Sequence, residues 1–598
     1  MNQLQRRLYM LSFVATFLLI APALVFLAKG YSFDRIGGVF VHNGAITIKS
    51  NPKKVDLYLD GEKVSNKMLN IINNYYVVNG VRFGKHTIKC KKDGYTSWKK
   101  TIDVHSGIST EFWNILLFQT NNEGLKSHVP QDVKRFYLSP RQDDELVLYK
   151  EKEDEKIISI FTTNDNQENI VYSTTGYAKL FPDATENVEW SSNHKKLLVP
   201  ALINRSTLIE KNSNLSEGKV PTNNDVSLAE ENLQKDYIVL DLKNEEQSNI
   251  NLFEVLSTLN FSELKVINDD PITDGDQEVI TPDDDTEING MLQTKTDNKD
   301  YLVTTPLKQP SKEKTSLTGD SLSAIFEESI IPEIHRARWM FDSDHQILIL
   351  TKDHRLLFVD IEAPSQSSLL AENVNGFDLA GDHVYYSDLT TNLLWDIKPN
   401  RPGYKQSISR THLEEDTDSF VKLFAYDELR IALITSNDTL HILNRLKPEG
   451  ETTLDLIEQN VLGVQFSDDG KKLLYWTDKD FWTYMLRKWD KQPKREKGEK
   501  IFMTNFASGV KNVQWMETYE NVLFTNNTLV KSAELDNRDQ INLSNVLEVK
   551  STPAENNYIY DKETSILYFL DVDEGSDASL RLKSVKILER TGLFGLGN

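Results

Sequence analysis

At 598 residues the chain exceeds what one hydrophobic core sustains, since cores stop growing near roughly 250–300 residues, so several domains or one large repeat domain with appendages are expected. A formal charge of −22, from 90 acidic and 68 basic residues, argues against nucleic-acid binding, because phosphate contact needs a basic surface. The single cysteine, Cys90, excludes an intrachain disulfide and a thiolate metal cluster.

Leu8 to Ala28 is an uncharged stretch of 21 residues broken only by Pro22, long enough for a hydrocarbon core about 30 Å thick. Arg6 and Arg7 precede it, so the positive-inside rule predicts a cytoplasmic N-terminus with the bulk of the chain extracytoplasmic. Ala21-Pro22-Ala23 fits a signal-peptidase site, but the apolar run continues past it through Ala28. Residues 1–30 are therefore read as a cytoplasmic stub and an uncleaved single-pass transmembrane anchor, followed by a linker over 31–43.

From 44 the pattern turns to short strands. Ala45–Ile48, Val55–Leu59, Tyr75–Val78 and Lys85–Lys89 read as strands, Val55–Leu59 with clear alternation of polarity, and turn chemistry falls at Ser50-Asn51-Pro52, Asp60-Gly61 and Asp93-Gly94. Cys90 continues the alternation of His86 and Ile88, which marks it as a small buried residue. The succession Ser50-Asn51-Pro52, Leu59-Asp60-Gly61, Phe83-Gly84-Lys85-His86, Lys92-Asp93-Gly94-Tyr95 and Trp98 resembles the PEGA domain. That resemblance, over residues 44–106, implies a small extracytoplasmic β-sandwich near a membrane anchor and carries no catalytic residue with it; the sandwich is placed at 44–118. Twelve basic residues, Lys49 to Lys100, make this unit basic within an acidic protein. They read as strand edges protected by lysine, with contact to anionic headgroups or a wall polymer as the alternative.

From 132 a weak motif recurs: a short β-run, a polar turn, an apolar strand, and a second turn and strand. "VEWSSNHKKLLVPAL" (188–202) and "VQFSDDGKKLLYWT" (464–477) are its clearest copies. Starts fall near 133, 188, 337, 377, 423, 464, 513 and 549, mostly 36–49 residues apart. Such a period predicts a β-propeller with one four-stranded blade per repeat, of eight or else seven blades, over 132–590. "FSDDGKKLLYWT" resembles the blade motif of the Tol-associated periplasmic propellers and the tryptophan-aspartate-repeat proteins, where a Ser-x-Asp-Gly-type turn joins the innermost strand to the next. Insertions are placed at about 204–232 and 262–330, the latter with ten acidic residues and one lysine within 262–290. Residues 591–598 form a tail.

Little chemistry stands out. Asp269, Asp270, Asp274, Asp276 and Asp283–Asp285 miss the alternate oxygen spacing of a calcium loop, as does "DVDEGSD" (571–577). No G-x-S-x-G elbow, H-E-x-x-H helix or Walker loop occurs, and His194, His335, His345, His354, His383, His412 and His441 are scattered. Trp476, Trp482, Tyr484 and Trp489 cluster with Lys479, Arg487 and Lys488; core packing between blades is the default reading, and a ligand face the alternative. The chain thus reads as all-β: an N-terminal transmembrane helix, a PEGA-like sandwich and a propeller. Catalytic residues, metal ligands and cofactors are read as none, and no ligand-binding residue is assigned. The function expected is noncatalytic binding or scaffolding at the bacterial cell envelope through a propeller face, with an envelope protein or glycan as partner. An envelope hydrolase or lyase working in the channel, or a surface-layer component, is the alternative.

Overall fold

The computed structural model describes residues 3–589 apart from 29–30, 35–38, 66–67, 71–74, 122–123, 184–185, 205–232, 243–248, 262–263, 265–330, 402, 410–418, 445–453, 507–508, 551–556 and 573–579. Most of both expected insertions therefore lies outside the described residues. The apolar run forms one helix, Gln3–Ala28, and none of its described side chains is buried. At 1.5 Å per residue, the 22-residue span Gln5–Phe26, apolar from Leu8 onward, extends about 33 Å, enough to cross a bilayer.

Two sheets follow, packed face to face. One joins Tyr31–Asp34, Val39–Asn51, Tyr75–Arg82 and Met68–Asn70, with Ser109–Leu116 added parallel to Val39–Asn51. The other joins Glu62–Lys63, Asp56–Leu59, Gly84–Lys91 and Trp98–Val104. Alternation explains the layer: Ile46 and Ile48 from the first sheet meet Leu57, Ile88, Cys90 and Ile102 from the second. Cys90 is fully buried there. Gly44 is needed where the chain enters, because a Cβ would lie 2.4 Å from the His105 carbonyl oxygen.

The rest is a ring of eight four-stranded antiparallel units. Their first strands are Val133–Leu138, Lys179–Leu180 with Glu189–Trp190, Ile334–Trp339, Val374–Ala380, Phe420–Asp427, Gly463–Phe466, Val510–Trp515 and Tyr558–Asp561. Seven expected starts fall on these strands or one residue before them; the eighth, 549, precedes its strand by nine. The outer strand of the eighth blade comes from the other end of the chain. Lys126–Gln131, ahead of the expected start at 132, pairs with Leu580–Lys586 and closes the ring. His128 on that strand is buried and bonds Ser584 Oγ at 2.8 Å.

Each pair of neighbouring blades shares one apolar cluster, and closure shows in the last. Phe136, Leu146 and Phe161 of the first blade pack on Tyr568, Leu570 and Leu582 of the eighth. First strands lie nearest the axis, since their side chains bond the backbone of the next first strand. Gln514 donates to the Tyr558 carbonyl and accepts from Tyr560 N, while Asp378 accepts from Ala425 N. A bulge recurs near the start of the first strand in the first, third, fourth and fifth blades, adding the twist a propeller blade requires. The motif turn is built as its residues demand. Ser467 Oγ accepts from Lys472 N, Asp469 accepts from Lys471 N, and Gly470 takes a φ of +61°. Ser191, Asn193 and His194 repeat that turn in the second blade.

One element was not anticipated. Leu252–Ser257 is a short helix capped by Asn251, whose side chain accepts from Phe253 N and Glu254 N. Its Leu252, Val255 and Leu256 fill the space between the second and third blades.

Candidate binding site

The sandwich is docked on the sixth, seventh and eighth blades. Strand Trp98–Val104 supplies the centre of the joint because its alternation aims Trp98 and Lys100 off the sheet at the seventh blade. Trp98 Nε1 donates to Glu534 Oε2 at 2.7 Å, and Lys100 Nζ lies 2.6 Å from Glu534 Oε1. Lys100 also donates to the carbonyls of Asp536 and Gln540, and it is 0% exposed. Burial pushes the Glu534 carboxyl above its usual range, against the pull of Lys100, Trp98 and Asn542. Lys100 is thus no solvated strand-edge lysine, as its place in the basic run had suggested; a buried carboxylate 434 positions later in the chain claims it.

Around this pair the joint is polar and specific. The Gln492 side chain treats strand Ser109–Leu116 as another strand would, accepting from Glu111 N at 3.0 Å and donating to Ser109 O at 2.8 Å. Arg538 is held by Asp536, donates to Glu111 O at 2.8 Å, and lies 4.3 Å above the Phe112 ring. At the far edge Asn51 and Glu589 exchange a pair of hydrogen bonds, and Lys92 reaches Glu589 at 3.0 Å. Phe118 completes the joint by entering the core between the seventh and eighth blades.

Beside the joint opens a cleft of about 510 Å³ with an indole on each wall. Trp113, from the sandwich, is fixed by donating Nε1 to Glu111 Oε2 at 2.9 Å and by an edge-on contact with Tyr75. Trp489, from the sixth blade, has Lys472 Nζ 4.6 Å and Lys491 Nζ 5.7 Å from its ring centre. Lys49 and Lys491 stand exposed at the rim. Two half-buried aromatic faces with fixed hydrogen-bonding neighbours suit a planar or ring-bearing ligand better than a compact ion.

Of the aromatic group noted in the sequence, only Trp489 reaches this cleft. Trp476 covers Gly463, where a Cβ would meet its ring at 2.3 Å; Trp482 packs on Phe502, and Tyr484 is buried. Lys479 and Lys488 lie exposed beside Asp478 and Asp490, apart from the cleft lining, and Arg487 is half-buried. Trp113, Glu111 and Gln492 were missed. Their signal was faint, since Glu111 and Trp113 sit two apart on one strand and only the fold brings Gln492 against them.

The histidines do not converge. His194 and His345 occupy first turns of the second and third blades, and His354 bonds Val374 O. His441 is buried against Phe420, and His412 lies outside the described residues, as do the acidic stretch 269–285 and 573–577. His383 is buried between Asp396, at 2.8 Å from Nδ1, and Glu428, at 3.2 Å from Nε2 outside hydrogen-bond alignment. Burial would lower its pKa, but the hydrogen bond to Asp396 and the nearby carboxylate of Glu428 win and raise it to about 9. Near the axis, Arg338 bridges Glu189 and Asp378, so both acids serve as ties between blades. Among the described residues no group of three or more His, Cys, Asp or Glu is placed to hold a metal.

No protein-family profile matches the chain. No curated protein matches it in sequence. In structure it is similar to the C-terminal WD40 domain of Sif2, at 8% identity and a TM-score of 0.41, over 77% of this chain and 98% of that one. It is also similar to the β-propeller domain of Cps50 (Swd1) from Myceliophteria thermophila, at 10% identity and a TM-score of 0.35, over 77% and 99%. Hsv2 of Kluyveromyces lactis follows at 14% identity and a TM-score of 0.27, over 39% and 69%. Those scores carry no argument about function; the ring stands on its own strand pairing. The class is an eight-bladed β-propeller with a docked β-sandwich behind an apolar N-terminal helix.

Proposed function

We propose that this is a single-pass membrane protein of the bacterial cell envelope, its N-terminus cytoplasmic, that displays a noncatalytic binding propeller outside the membrane. The observation that supports it most is the order of parts: an outward-facing apolar helix joined to a sandwich that is itself welded to the ring. A welded sandwich holds the propeller at a fixed attitude to its anchor, which a flexible linker would not. The sandwich is read as PEGA-like, and the cleft between Trp113 and Trp489 as the place where an envelope protein or glycan is bound.

Two measurements test this reading. Alkaline extraction and protease treatment of intact cells should find the full chain in the membrane with its ring cleavable from outside; a chain released by alkali overturns the anchor. Capture of envelope extracts on the full-length protein in nanodiscs should recover a partner that is lost on Trp489→Ala. Equal recovery by both proteins overturns the assignment of the cleft.

A further inference from the structure

The sandwich has two ends. Asn51, Lys92 and Tyr95 meet Glu589 of the ring at one of them. The chain arrives from the helix at the other, where Asn43 and Gly44 run between the Val81–Gly84 turn and the His105–Ile108 turn. Asn43 pairs with Arg82, Gly107 N donates to Asn43 O, and Ala45 N donates to Ile108 O. Phe83 is 65% exposed and Ile108 is 57% exposed at the tips of these two turns. Val129, Phe341, Leu456 and Ile170 are as exposed on the ring, but Phe83 and Ile108 share one end of the sandwich. Against Phe83 lies an open hollow of about 480 Å³, lined also by Gly84, Asp103, Val104, His105 and Ser106.

The backbone says what faces this end. The chain leaves the helix beside the sandwich, runs out along Tyr31–Asp34 and returns in an antiparallel pair along Val39–His42. Tyr31 lies opposite His42, one residue before Asn43, and its ring meets Phe26 of the helix edge-on at 5.2 Å. The last turn of the helix is thereby brought to the same end as Phe83 and Ile108.

We propose that Phe83 and Ile108 insert into the surface of the bilayer that holds the helix, so that the sandwich stands on the membrane by its entry end with the ring docked along its flank. This rests on the reading of the helix as a membrane anchor. Apolar insertion, rather than charge, drives the contact: Arg82 and Lys85 at this end are offset by Asp60, Glu62 and Asp103, all exposed. Neutral and anionic lipids should therefore serve alike, which separates this contact from attraction of the lysine-rich faces to anionic headgroups.

Full-length protein in nanodiscs of pure phosphatidylcholine, and of phosphatidylcholine with phosphatidylglycerol, provides the test. An environment-sensitive fluorophore is placed at Phe83→Cys, at Ile108→Cys and at Asp93→Cys, a control about 23 Å away along the Gly84–Lys91 strand. Native Cys90 is 0% exposed and stays unlabelled. Expected are blue-shifted emission and at least about twofold stronger quenching by nitroxide lipids at 83 and 108 than at 93, in both compositions, since such quenchers reach only groups at the headgroup–acyl boundary. Water-like emission at 83 and 108 in protein that resists alkaline extraction overturns the proposal and leaves the anchor standing. Quenching only with phosphatidylglycerol also overturns it, in favour of charge attraction. Protein that fails to enter nanodiscs overturns the anchor reading, and this proposal with it.

Discussion

The joint between sandwich and ring is made differently from the joints between blades. Neighbouring blades share apolar clusters, such as Leu348, Leu350 and Phe358 against Phe377 and Tyr386, with first-strand side chains stitching the axis. The sandwich joint is centred on a buried lysine and carboxylate, ringed by Trp98, Asn542, Gln492 and Arg538. Apolar packing is non-directional, so it suits a joint repeated eight times with varying sequence. A buried ion pair adds little net stability but tolerates few alternatives, so it suits a joint that must form once and in one orientation.

The largest effect should come from breaking that pair on one side. Lys100→Met leaves Glu534 buried without its cation and is expected to cost about 3–5 kcal/mol. The cost should appear as early release of the sandwich in chemical denaturation. Adding Glu534→Gln removes the stranded charge while keeping an acceptor for Trp98, and should restore most of the loss. If the double variant is no better than the single one, the pair does not carry the joint. In the ring, Leu582→Ala at the closure between the eighth and first blades should cost about 3 kcal/mol through the cavity it leaves. Here no second substitution of charge can compensate, and the loss should appear in the unfolding of the ring as a whole.

Regular parts of the molecule were legible and singular parts were not. Alternation in Val55–Leu59 and His86–Cys90, and the recurring Ser-x-Asp-Gly turn at 467–470, state their structure locally, because strand burial has a period of two and the turn needs a residue at positive φ, which Gly470 supplies. The closing strand Lys126–Gln131 was invisible, since its pairing partner lies more than 440 residues away and its own pattern is short and polar. Lys100 looked like any lysine of a basic surface, because the carboxylate that buries it belongs to another domain. The cleft has the same cause: Trp113 and Trp489 become neighbours only through the joint. Trp476 and Trp482, by contrast, follow the core reading that apolar residues within a blade suggest.

A pH titration separates the ring from the joint more gently. His383 in the fourth blade titrates near 9 when folded, above the ordinary histidine value of 6.5. A raised folded pKa stabilises fully below the unfolded value and is lost as pH rises through the folded one. Stability of the ring should therefore fall between about pH 6.5 and 9, by on the order of 2 kcal/mol given the partial exposure of Glu428. His383→Gln should flatten that slope. At lower pH a further slope comes from Asp236 in the second blade, whose carboxyl burial pushes up to about 7. Because it is raised, it weakens the fold as pH climbs from about 4 to 7. A variant whose slope above pH 6.5 equals that of the parent would remove His383 from this account.

The smallest effect sharpens the comparison most, because it touches the joint without removing a charge. Gln492 fills the free edge of strand Ser109–Leu116 with one amide, satisfying a backbone N–H and a backbone carbonyl together. Gln492→Ala exposes both to water rather than burying them unpaired, so the expected cost is only about 1 kcal/mol. Its location is the informative part. Hydrogen exchange at the Glu111 amide should quicken while amides inside the third and fourth blades keep their rates, since those blades share no contact with the joint. Quickened exchange throughout the ring would mean that sandwich and propeller unfold as one cooperative unit, and that the polar joint is as integral to the ring as its apolar ones.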